Sequence, residues 1–477
     1  MQPGIREPTD EEPRSFRSAI PHSRRSPMRS FLTAALVLGL VGCSSTAEMG
    51  NDPAPGAPAP PSETPSAPST PGAPSAPGEV SFSCEDGTAG EYDCNRVDLV
   101  SHMPVEAFNA GRGNDIWGWT DPETGIEYAI VGLDDGTSFV SLEDPTNPQN
   151  LGKLPTATVA TVWRDMKVYR NHAFIVSEAQ NHGMQVFDLT RLRGLEADAD
   201  RTFEPDTHYR GVTNAHNIVA DEESGFMYIV GTTSVGEGLP DACAAPGFHA
   251  LDVSDPKNPQ FSTCFSDADS DATPRTAPGY THDAQCLVYR GPDADYNGRQ
   301  LCFAANEDVL TVFDVEDKQN VVMISQAEYP GASYSHQGWL TQDQRYFLLD
   351  DELDEISGVS ATQRTLVFDL EDLDNPEFAY IWDSGIPVID HNMYIIGDYA
   401  YQSNYKAGLR ILDVSGVGEG PEGIREVAYF DTFPQGEDVQ FGGQWSNYPY
   451  FESGLVIAND SENGLFVLRP RLDDPDL

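Results

Sequence analysis

The sequence predicts an all-β protein: a seven-bladed β-propeller with four-stranded blades, its ring closed by an N-terminal strand. Three observations lead there. Seven runs share the pattern apolar-x-apolar-apolar-Asp-apolar, five strongly: "MQVFDLT" at Met184, "FHALDVS" at Phe248, "LTVFDVE" at Leu310, "TLVFDLE" at Thr365 and "LRILDVS" at Leu409. "SFVSLEDP" at Ser138 and "GLFVLRP" at Gly464 are weaker copies, with Ser141 and Arg469 at the aspartate position. Each run follows another strand-like segment and precedes a third, often across a "DPxNP" turn whose Asp-Pro and Asn-Pro steps end a strand sharply. A shorter apolar segment opens each unit. Helical periodicity is nearly absent. Four strands per unit, seven times over, is the signature of a propeller.

The elements follow in chain order. Residues 1–42 read as a signal peptide, with Met28 as the true start: Arg29 precedes an apolar run from Phe31 to Val41, too short to span a bilayer as a mature anchor. "LVGC" at its end resembles a bacterial lipobox, which makes Cys43 the expected lipidation site. Residues 43–80 are then a stalk. Ten of the thirty residues from Asn51 to Val80 are proline, a composition that buries no core and favours extended polyproline II. Residues 81–471 carry the propeller, and 472–477 form an acidic tail. "RVDLVSHMPVEAF", Arg96 to Phe108, resembles an outer strand without a unit of its own. It is expected beside the Leu465–Leu468 strand, where it removes the open ring edge.

The chain has 28 Lys+Arg against 76 Asp+Glu, a net charge of -48. Such a surface repels phosphate backbones and anionic lipid heads, which argues against nucleic-acid partners. With only five lysines, it suits high salt, where screening relieves self-repulsion. Setting Cys43 aside leaves six cysteines, an even number in an exported chain. Fifteen connectivities are open. Pairing of near neighbours is expected, as Cys84–Cys94, Cys243–Cys264 and Cys286–Cys302. Buried free thiols are the alternative.

Histidine recurs at one repeat position. "NAHNIVAD", "YTHDAQCLVY", "YSHQGWLTQD" and "IDHNMYIIGD" open four consecutive units with His216, His282, His336 and His391. The other units offer Asp115, Arg164-Asp165 and Gln444 there. First strands line a propeller's channel, so these side chains are expected to ring one mouth. Imidazoles beside Asp165, Asp283 and Asp390 have the donor chemistry for a divalent transition metal. An alternative needs no ion: each imidazole donates to the neighbouring blade and pins blade to blade. Two other clusters stand out. "DADYNG", with Asp293, Asp295 and Asn297, matches the opening of a calcium loop, but Ala304 stands where the bidentate acid belongs. An Asp/Asn/Gly turn is the simpler reading, and calcium a weaker expectation than a transition metal. "LLDDELDE", Leu348 to Glu355, reads as a solvated acidic loop or a secondary cation site. No HExxH, GxSxG or phosphate-binding loop is present in the sequence.

The stretches "NDIWGWTDPETGIEYAIVGLDDGTSFV", "WRDMKVYRNHAFIVSEAQNHGMQVFDLTRLR", "GPDADYNGRQLCFAANEDVLTVFDV" and "SHQGWLTQDQRYFLLDDELDE" resemble the choice-of-anchor B family of LVIVD-repeat propellers, from about Arg96 to Arg471. The resemblance implies an exported propeller held at the cell surface by an anchor, here Cys43. It supplies no activity. The expectation is a monomeric, lipid-anchored binding or scaffolding module at the outer membrane or cell surface. Its partners would be the membrane, through the lipid, and a protein or glycan ligand at the histidine-bearing mouth or nearby loops. A metal-dependent enzyme using the histidines and a purely structural envelope protein are the rivals.

Overall fold

The chain divides into two units, Met1–Ala67 and Pro68–Leu477. A computed structural model describes residues 81–472 of the second, except 237–238, 241–242, 244–245, 268–278 and 437. The signal segment, Cys43, the stalk and residues 473–477 lie outside the described residues. Among the described residues no helix is long and apolar enough to cross a membrane.

The strands form seven antiparallel sheets, six of four strands and one of six, running from channel to rim. The channel-lining strands of blades 1 to 7 are Gly113–Thr120, Arg164–Tyr169, Asn217–Asp221, Asp283–Val288, Ser335–Leu340, Asn392–Ile396 and Gln444–Tyr448. Each packs against its neighbours in the ring, the last against the first. In blade 7 the outer strand is Val97–Met103, antiparallel to Gly464–Pro470, with Leu99 opposite Leu468 and Met103 opposite Leu465. First and last parts of the propeller thus share one sheet. Blade 6 is longer: the hairpin Thr88–Ala89 and Tyr92–Asn95 extends its outer strand, Arg425–Phe430, through Cys94 opposite Phe430.

The repeated aspartate is a turn device. Asp188, Asp252, Asp314, Asp369 and Asp413 each end the third strand of a blade. Each accepts, through Oδ1, the backbone N–H two residues on, at 2.9–3.1 Å. Such Asx turns stop the strand and aim the chain at the next turn. In blade 1 the Ser141 hydroxyl does the same for Glu143 at 3.3 Å. Aspartates of the turns that follow repeat the contact: Asp144 and Asp255 ahead of a proline, and Asp317 and Asp372 at the matching places. In six blades the pairing of third and outer strands slips by one residue, as between Val312 and Phe313 or Ile411 and Leu412. A bulge at a fixed place increases the twist of each blade.

The core lies between blades. Phe139 of blade 1 stacks on Phe187 of blade 2 at 4.4 Å, and Phe248 of blade 3 meets Phe313 of blade 4 at 5.6 Å. Each such ring buries apolar area worth roughly 2 kcal/mol or more. Three disulfides brace the domain: Cys84–Cys94, Cys243–Cys264 and Cys286–Cys302. The neighbour pairing expected from the sequence is the one found.

Candidate functional site

His216, His282, His336 and His391 gather at one end of the channel, as their shared repeat position implies. Their ring centroids stand 4.3, 4.1 and 4.6 Å apart in sequence. All are buried. Nδ1–H of His282 donates to the carbonyl of His336 at 2.8 Å, and that of His336 to the carbonyl of His391 at 2.9 Å. His391 donates to the carbonyl of Trp445. Each of these three imidazoles therefore pins its blade to the next. In blade 7 the ring position belongs to Trp445, not to Gln444 as the sequence spacing suggested. Trp445 sits in a bulge between Gln444 and Ser446 as His336 does between Ser335 and Gln337, and the Gln444 amide donates to the Ser403 hydroxyl.

A carbonyl can only accept, so Nδ1 carries the proton and Nε2 is left as a lone-pair donor. Burial lowers the pKa of His391 to about 3. Burial and the neighbouring imidazoles hold His282 and His336 well below the ordinary value. His216 differs. Burial lowers its pKa, but the Glu178 carboxylate, 2.6 Å from its Nδ1, outweighs that and raises it. One acid of the Leu348–Glu355 run completes the cluster. Glu352 lies 3.8 Å from Nε2 of His336 and 3.7 Å from Nε2 of His391, and accepts a 2.6 Å bond from the Tyr405 hydroxyl. Burial pushes its pKa up to about 7. His336, Glu352 and His391 bring three ligand atoms within 4.8 Å of one another. Tetrahedral ligands at 2.0–2.2 Å from an ion lie about 3.4 Å apart, so a small closure would complete three-coordination. Cys243, His249 and Cys264 also converge, but their sulfurs are joined to each other. The space inside the histidine ring is only about 10 Å³. That is room for one water or one ion.

Asp115, Asp165 and Asp283 lie one residue further along their strands. Lys167 sits among them, 2.6 Å from Asp165 and 3.7 Å from Asp115, with its ammonium 4.5 Å from the Trp117 ring. Burial alone would lower the Lys167 pKa; Asp165 and Asp115 reverse that and keep it charged. Asp165 also accepts from the backbone N–H groups of Met166 and Ile218. Burial raises Asp283 to about 7. Asp390 does not line this space: it lies among Asp350, Asp354 and Glu355. Asp293 uses its two oxygens on the N–H groups of Asp295 and Leu373. Asp295 and Asn297 are exposed, as in a surface turn.

The larger cavity is elsewhere along the channel. Three residues past the ring position stand Trp117, Lys167, Gln285, Trp339, Tyr394 and Tyr448, and with Tyr450 they line a cavity of about 420 Å³. Its aromatic walls meet edge to face: Trp117 to Tyr448 at 5.1 Å, Trp339 to Tyr394 at 5.1 Å, Trp117 to Tyr394 at 5.6 Å. Lys167 and Asp283 supply polar groups, and the Tyr450 hydroxyl has no hydrogen-bond partner among the described residues. Glu222, Glu223 and Arg290 also border the cavity, the last two paired at 2.6 Å. The signal for this site was in the sequence: aromatic residues recur three positions after the histidine position.

No family model matches the chain, and no curated protein matches it. Solved structures similar to it are propellers and propeller-containing proteins. The Cps50 (Swd1) β-propeller domain of Myceliophteria thermophila is 12% identical, with a TM-score of 0.42, covering 72% of this chain and 93% of that one. Kuenenia stuttgartiensis hydrazine synthase is 12% identical, with a TM-score of 0.48, covering 75% and 95%. The WD40 repeats of RRP9 are 8% identical, with a TM-score of 0.47, covering 79% and 98%. The likeness is one of fold alone.

Proposed function

We propose that the chain is an exported binding module, anchored by lipid at Cys43 and raised on its proline-rich stalk, whose propeller takes a glycan in the aromatic end of its channel. The observation that carries this reading is the 420 Å³ cavity walled by Trp117, Trp339, Tyr394, Tyr448 and Tyr450. A concave apolar wall with a few convergent polar groups is what a small-ligand site requires. Sugars offer apolar faces to stack on aromatic rings and hydroxyls for Lys167, Asp283 and the free Tyr450 hydroxyl. The test is a glycan array probed with the full chain and with Trp339→Ala. Saturable binding that the variant loses supports the reading. Binding indifferent to Trp339, or no binding at all, overturns it.

A second reading, metal binding at the histidine mouth, is favoured by the convergence of His336, His391 and Glu352. Nδ1–H groups tied to carbonyls are the outer-shell bonds that orient metal-ligating imidazoles, so pinning and ligation are compatible. The 10 Å³ of space admits an ion but no substrate beside it, which favours a bound ion over a metal enzyme. Elemental analysis of protein purified without chelators decides. About one equivalent of transition metal, lost in His391→Ala, supports a site. No metal, with the variant merely less stable, leaves the imidazoles as pins.

A further inference from the structure

The acidic run at Leu348–Glu355 is not the solvated loop its composition suggests. Asp350 and Asp351 end the second strand of blade 5, Tyr346–Asp351, and a single helical turn, Asp354–Ser357, follows. Asp350 and Asp354 are each 1% exposed, and Glu355 6%. A fourth carboxylate, Asp390, arrives from the entry to blade 6, forty residues beyond Asp350 in the chain, and is also 1% exposed. One basic group answers them: Arg364, whose Nε donates to Asp354 at 2.6 Å. Neither oxygen of Asp350 or Glu355 has a hydrogen-bond partner among the described residues, nor do Oδ1 of Asp354 and Oδ1 of Asp390. Asp351, by contrast, is satisfied by the Tyr329 hydroxyl and the N–H groups of Ser333 and Tyr334.

Burying a charged group without a partner costs several kcal/mol, and proteins accept it where the charge meets a counter-ion. The orphaned oxygens point to what is missing. We propose that Asp350, Asp354, Glu355 and Asp390 form a hard-cation site between blades 5 and 6, with calcium the fitting ion. The donors are oxygens only, with no imidazole or thiolate, which selects calcium, magnesium or manganese over zinc or copper. Four carboxylates from a strand end, a helical turn and a neighbouring blade form an irregular set, and calcium tolerates irregular geometry where magnesium does not. No three of their oxygens come within 4.8 Å of one another, so a bound cation would have to draw them in. Glu352 belongs to the same loop but faces the histidines, so the cation would hold in place the loop that carries it.

The test uses the full chain, stripped with chelator and then titrated with calcium, magnesium or manganese chloride. Bound ion is read by calorimetry and unfolding by melting temperature. The expected result is about one equivalent of calcium and a melting temperature raised by several degrees. Asp350→Asn and Asp390→Asn should each lose both responses, while Glu352→Gln keeps them. Since Asn variants remove a buried charge, their ion-free melting temperature should be no lower than that of the parent. The inference is overturned if the parent binds none of the three ions, or if Asp390→Asn binds calcium as the parent does. The parent titration decides even where a variant fails to fold.

Discussion

The neutrality of buried histidines shapes how this protein responds to acid. His182 of blade 2 is the clearest case. Its Nδ1–H donates to the carbonyl of Gly183 at 2.9 Å, and its Nε2 accepts from the buried guanidinium of Arg164 at 3.2 Å. A second proton has no place. Burial, then Arg164, lowers its folded pKa to about 3, against an ordinary 6.5. Between those values the unfolded chain binds the proton and the folded chain does not, so stability falls as pH drops through 6.5. At pH 5 the contribution is about 2 kcal/mol. Urea unfolding at pH 7.5 and pH 5 should therefore show a smaller acid loss in His182→Gln than in the parent, by about that amount. An equal loss would refute the account of His182. At this scale the sequence was legible where a residue type repeats in register, as the four histidines do. It was silent on Glu178 and marked Glu352 only as one acid of a run, and both reach the ring from outside the first strands. It misjudged the 350–355 acids, because charge in a sequence reads as solvent exposure and burial depends on which blade comes alongside.

The blades themselves were readable because every one needs the same turn chemistry. An aspartate two residues ahead of an N–H to be capped recurs by necessity, and with it the strand it ends. What the repeat did not reveal was the alignment of blade 7, where Trp445 and not Gln444 matches His336 within the same bulge. A one-residue slip leaves no mark on composition. Two predictions belong to this scale. Val97–Met103 supplies the outer strand of blade 7, so deleting residues 96–104 exposes the Gly464–Pro470 edge and should abolish cooperative thermal unfolding. A deletion protein that melts sharply at the parent's temperature would contradict that role. The Cys286–Cys302 bridge joins the first two strands of blade 4 across 16 residues. Replacing both cysteines by alanine should cost about 3 kcal/mol in denaturant unfolding, since the unfolded chain regains the loop's freedom. No measurable loss would mean that strand pairing alone holds the pair.

Across the whole molecule, a net charge of -48 sets the surface against itself. Salt at molar strength shortens the screening length to about 3 Å, so the melting temperature should rise with NaCl. An unchanged or falling value would remove salt adaptation from the account. The ring architecture also divides the channel into two chemistries: a narrow end of pinned imidazoles and a wide end of aromatic walls. The claim that the wide end is the ligand site is tested most directly by titrating intrinsic tryptophan fluorescence with an array-selected glycan. The parent, Trp339→Ala and His336→Asn would be compared, with folding checked by melting. The account predicts saturable binding that Trp339→Ala loses and His336→Asn retains. Binding that survives Trp339→Ala but disappears in a folded His336→Asn would place the ligand at the histidine mouth and contradict it.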